Sequence, residues 1–165
     1  MSGVNKIYRE GAKGALLDEY EKAIAELKQT LTSISDQELI IVADNTTQDP
    51  DCRSVQTILS HVVRAGFNYA INIRKLKGHQ YQYADRIFHE TIKEYISDLD
   101  RVFIFTVDTF EDIPDNGFEQ FENSKKILTS WGQIYDIEQM MEHAIVHILR
   151  HRRQIEKFKI LLRDK

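Results

Sequence analysis

The chain has 165 residues, 42% hydrophobic and 29% charged, with a formal net charge of −4. That composition suits one globular core and gives no overall attraction to nucleic acid or an anionic membrane. No window approaches the ~18 consecutive apolar residues of a membrane span, and the single cysteine, Cys52, excludes an intrachain disulfide. A cytoplasmic protein is expected, because one thiol fits a reducing compartment and the opening MSGVNKIYREGAKG has no apolar stretch for a secretory leader.

Seven glycines and two prolines favour long regular elements. A first helix is predicted over 7–33, with Ala12, Leu16, Tyr20, Ala23, Ile24, Leu27 and Leu31 at steps of three and four. SISDQEL opens a polar connection that ends in NTTQDPD at Pro50. Asp51 is the expected N-cap of a second helix running to Gly78, with Val55, Ile58, Leu59, Val62, Tyr69, Ile73 and Leu76 on its buried face. A third helix is predicted over 84–110, carrying Ile87, Phe88, Ile92, Tyr95, Leu99 and Phe103, although RVFIFTVDTF also fits a strand. ILTSWGQIY is expected as a short extended segment that packs Trp131 under the bundle. A last helix is predicted from Asp136 to about 162, opened by a capping box in which Gln139 stands three residues after Asp136. Without an internal repeat, the expectation is an all-α fold: a four-helix bundle with long connections, forming a single domain over 1–165.

His143, His147 and His151 lie four residues apart on that last helix, half of the six histidines in the chain. Successive positions four apart stack along one side of a helix, and two such imidazoles can converge on one metal ion. At about 100° per residue, His151 falls roughly 30° from the centre of the apolar face, His147 roughly 70° and His143 roughly 110°. The periodicity therefore points His147 and His151 inward and His143 toward solvent. A metal site of catalytic type needs about three protein ligands, and the third should come from another helix. His61 in ILSHVVRAG is the best placed, beside the apolar stripe of the second helix and followed by Ala65 and Gly66, which leave room for a cavity. His79, in a turn after Gly78, and His89, in the third helix, are poorer placed.

Other features have plainer readings. Arg150, Arg152 and Arg153 spread over a solvated helix face. Cys52 stands nine residues before His61, about 13 Å along a helix axis, and reads as structural. Trp131, Tyr69, Tyr81, Tyr83 and Tyr135 read as packing or pocket wall. No Ser-His-Asp arrangement, phosphate-cradling glycine loop or dinucleotide fingerprint is visible.

HILRHRRQIEKF, with its H-x-x-x-H-R-x-Q core at His147, His151, Arg152 and Gln154, resembles the last helix of the DinB-like (DinB/YfiT-like) metal-binding bundles. RSVQTILSHVVRAG resembles the second helix of that family, in which a histidine after a hydrophobic pair supplies a ligand. The resemblance spans nearly the whole chain. It implies a divalent metal held by His61, His147 and His151, with His143 outside the site. It also implies a thiol-dependent S-transferase or a metal-dependent hydrolase, with a small-molecule substrate, a low-molecular-weight thiol as co-substrate and a homodimer. The third helical histidine and the basic run after His151 depart from simple members of the family.

Imidazole-only ligation suits zinc, nickel, copper or iron; zinc or nickel is expected first, with iron or manganese as further candidates. An open coordination position would activate either a water or a thiol. Two other readings stay open: a non-catalytic metal-binding sensor with a closed ligand shell, and a metal-free interaction bundle whose histidine stripe responds to pH.

Overall fold

The computed structural model describes residues 7–163. Four long helices carry the fold: α1 (Gly11–Leu31), α3 (Val55–Leu76), α4 (Ile92–Phe110) and α5 (Ile137–Arg163), with a single turn, α2 (Asp36–Leu39), after the first. α1 packs on α5 and α4, and α3 packs on α4 and α5. A two-stranded antiparallel hairpin, β1 (Ile127–Leu128) and β2 (Ile134–Tyr135), precedes α5, with Ile127 opposite Tyr135 and Leu128 opposite Ile134. The described residues are thus all-α apart from this hairpin. Among the described residues no helix is long and apolar enough to cross a membrane.

One hydrophobic cluster joins the long helices; Leu27, Leu59, Ile73, Leu99, Met140 and Ile155 are completely buried within it. Each such side chain contributes about 1.5–3 kcal/mol on leaving water. Gly66 sits where α3 crosses α4: a Cβ there would stand 2.6 Å from Val102 Cγ1. The small residue serves helix approach rather than the cavity expected from sequence, while Ala65 beside it does line the pocket.

Helix ends differ from the sequence expectations, each for a local reason. α1 begins at Gly11, whose φ of +75° breaks the helix, so 7–10 lie outside it. Its free N–H groups are met from far along the chain, where the Asp115 carboxylate accepts from the amides of Ala12 and Lys13, both at 3.2 Å. Within the predicted polar connection, Ser35 and Glu38 form a capping box that nucleates α2. The N-cap of α3 is Ser54, reciprocally bonded with Thr57, and not Asp51, which lies in a 3₁₀ turn over Pro50–Cys52.

The third predicted helix is shorter than expected, beginning at Ile92 behind a Thr91–Glu94 capping box. Residues 84–90 form instead an extended strap along α3, held by α3 side chains. Asn68 Oδ1 accepts from Ala84 N (2.8 Å), Gln56 Nε2 donates to His89 O (2.9 Å) and Ser60 donates to Ile87 O. Ile87 and Phe88, which looked like core, are exposed. The stretch RVFIFTVDTF is helical, because it continues the buried stripe of Leu99, Val102, Thr106 and Phe110. α5 opens as predicted, with Asp136 Oδ1 accepting from Gln139 N (2.8 Å) and Gln139 Oε1 from Asp136 N (3.0 Å).

Candidate metal centre

His61, from the second turn of α3, and His147 and His151, from the middle of α5, come together where the two helices face each other. His61 Nε2 lies 2.9 Å from His147 Nε2, and His151 Nε2 lies 3.1 Å from the same atom. The triad reached by helical periodicity and chain placement is one constellation in space, and it could hold a metal ion. Two ligands of a tetrahedral ion at ~2.05 Å would stand about 3.3 Å apart; the two separations to His147 are close to that, and the ligand atoms of all three rings lie within 4.8 Å of one another.

The outer partners decide which ring nitrogen carries the proton. His61 Nδ1 faces Asp51 Oδ2 at 3.1 Å. A carboxylate only accepts, so the His61 proton sits on Nδ1 and leaves Nε2 with a free lone pair. Asp51 is itself clamped by Arg86, whose other arm donates to Thr57 O at 3.1 Å. His151 Nδ1 donates to Gln154 Oε1 at 2.6 Å, which likewise frees His151 Nε2. Two lone pairs are therefore aimed at His147 Nε2. A proton on that nitrogen could satisfy one of them; the other would remain without a donor in a half-buried site. Converging lone pairs of this kind fit a cation.

The site disfavours protons. Burial pushes His147 down to about 2, with His151 and His61 adding to the effect, and pushes His151 down to about 4. His61 is lowered as well, chiefly by burial and against the pull of Asp51. All three rings are neutral near pH 7, the form that binds a metal.

Cys52 lies in the 3₁₀ turn that precedes α3 and not on the helix itself. Its Sγ receives a hydrogen bond from Gln154 Nε2 (3.6 Å) and faces Asp49 Oδ2 (3.3 Å). Burial, then Asp49, raises its pKa, so the thiol stays protonated. It packs behind Gln154 and outside the triad, in keeping with a structural role. His89 spends its Nε2 on Asp98 (2.6 Å), and His79 is exposed beside Tyr81.

A pocket of about 520 Å³ opens beside the triad, reaching His61 and His147. His143 is part of its wall, where sequence placed it toward solvent: Trp131 stacks on its ring at 4.7 Å with 19° between planes. Trp131 is not packed under the bundle; it is 43% exposed at the pocket mouth, carried by the turn of the hairpin. Trp131 does form pocket wall, one of its two sequence readings, whereas Asp51 and Arg86 were missed as site residues because they lie outside the histidine helices. Gln154 was quoted within a motif and given no role, yet its place three residues after His151 was a readable signal. Arg152, expected in solvent, reaches Glu26 and ties α5 to α1, while Arg150 and Arg153 are exposed as expected. No family model, no curated protein and no solved structure matches the chain.

Proposed function

We propose that the chain is a metal-dependent enzyme with the four-helix-bundle architecture of the DinB-like family, in which His61, His147 and His151 hold one divalent metal beside a small-molecule pocket. The observation that carries this reading is the convergence of three Nε2 atoms next to a 520 Å³ cavity, with the Nδ1 atoms of two rings engaged by Asp51 and Gln154. Among the described residues no fourth His, Cys, Asp or Glu joins the group. Three protein ligands with an adjoining cavity favour an open, catalytic type of site over the closed shell of a structural metal.

A divalent ion bound there supplies a Lewis acid able to acidify a water or thiol that reaches it. The protein supplies the rest. Asp51 and Gln154 keep two donor rings in the required tautomer. Burial keeps all three rings unprotonated. Trp131, His143 and Tyr69 form a wall that positions the electrophile and keeps water off one side. The reaction class is attack of an activated thiol or water on a small electrophile, S-transfer or hydrolysis, with zinc or nickel as the metal.

The test is metal analysis of untagged protein after remetallation, followed by a screen of thiols against electrophiles. A single metal per chain, lost in His147→Ala/His151→Ala, is the expected result. Equal metal content in parent and double variant would refute the assignment.

A further inference from the structure

The pocket lining has two kinds of surface. One is aromatic: Trp131 lies stacked on His143, and Tyr69 meets both rings edge-on. The other is a row of hydrogen-bond donors at four-residue spacing on α3, Arg64, Asn68 and Asn72. Tyr83 and the start of the strap at Ala84 fix which way these groups point. Asn68 Oδ1 is occupied by Ala84 N (2.8 Å) and Asn72 Oδ1 by the Tyr83 hydroxyl (2.7 Å), so each amide has its NH2 left to donate. Arg64 Nε donates to Ala84 O (3.3 Å), which orients the guanidinium, and its terminal nitrogens have no acceptor among the described residues. No carboxylate lines the pocket, and none pairs with Arg64 among the described residues, in a chain with 26 acidic against 22 basic side chains. The one permanent charge on the lining is positive.

We infer that this pocket binds a small organic carboxylate, held by Arg64 with Asn68 one turn on, its flat apolar body lying against the Trp131–His143 stack. A guanidinium matches a carboxylate through paired N–H donors, and the aromatic face covers the part of the ligand that water would otherwise solvate. Arg64 is then a specificity residue, selecting substrates that carry an anionic group away from the reacting atom. The inference rests on the proposal that this is the substrate pocket of the metal centre.

Trp131 is the only tryptophan in the chain, so its fluorescence reports on this pocket alone. The probe is benzoate, with benzamide as its neutral counterpart, titrated into chelator-treated protein and again after zinc is restored. Benzoate is expected to give a saturable change in emission in both states, with benzamide bound about ten-fold or more weakly. Arg64→Gln should weaken benzoate by about ten-fold or more, and Arg64→Lys should recover part of the loss. Arg64 is exposed, so these variants should keep the fold, which circular dichroism checks; the benzoate–benzamide comparison needs no variant at all. Equal affinity for the two probes overturns the inference, as does an unchanged affinity in Arg64→Gln. So does benzoate binding that requires zinc, or no saturable response. Arg64-dependent benzoate binding in a protein that takes up no metal would leave the anion pocket standing and discard the metal centre.

Discussion

Without a bound metal, the fold should weaken in mild acid, before most carboxylates protonate. In the folded chain His147 is held down to about 2 and His151 to about 4, mainly by burial, whereas each titrates near 6.5 once unfolded. The unfolded state therefore binds more protons, and stability falls as pH drops through 6.5. The fall continues until the folded rings themselves protonate, near 4 for His151 and near 2 for His147. A pH of about 5 lies roughly 1.5 units below the unfolded pKa of each ring, which costs about 2 kcal/mol per histidine and about 4 kcal/mol for the pair. That is a large share of the 5–15 kcal/mol typical of a domain. Urea unfolding of chelator-treated protein, followed by circular dichroism at about pH 7.5 and about pH 5, measures the loss. His147→Gln, which keeps a polar side chain without a titrating ring, should remove about half of it. A variant with the same pH dependence as the parent would refute the idea that buried neutral histidines control acid stability.

Three further outcomes are expected. Asp51→Asn should weaken zinc by about 10–100-fold in chelator competition, while saturating zinc still gives the parent stoichiometry; an unchanged affinity would show that Asp51 does not orient His61. His143→Ala should keep the full metal content and shift Trp131 emission, because the ring it stacks on is gone; loss of metal would make His143 a ligand. Gly66→Ala should destabilise the protein by about 1–3 kcal/mol, seen as a lower Tm, since its methyl would stand 2.6 Å from Val102 Cγ1 and 3.2 Å from the Tyr20 hydroxyl. An unshifted Tm would mean that α3 and α4 can separate there at little cost.

The helices were legible where apolar periodicity ran without competition. α5 and the core of α1 and α3 follow the three-four spacing read from the chain, and the Asp136–Gln139 box lies where predicted. The strap over 84–90 was misread because Ile87 and Phe88 extend the spacing of Ile92 and Tyr95 backwards. What decides its shape is a set of polar bonds from α3, which periodicity does not register. Thr91 and Glu94 did mark the true start of α4, by the same capping pattern that identified α5. Asp51 looked like an N-cap because its residue type suits one; Ser54 with Thr57 took that role and freed Asp51 to face His61.

By itself the sequence determined that the chain is helical and that His147 and His151 share one helix face, since both follow from local spacing on a regular helix. It also singled out His61 as the partner. Tertiary structure decided the chemistry of the site. The pairing of α3 with α5 brings three Nε2 atoms together, and contacts from Asp51 and Gln154 set the protons on the far side of two rings. The hairpin carries Trp131 onto His143 and adds an aromatic surface to the same lining as Arg64. Spacing along a helix fixes direction about its own axis only; which direction meets a ligand, a proton or a charge depends on the elements packed against it.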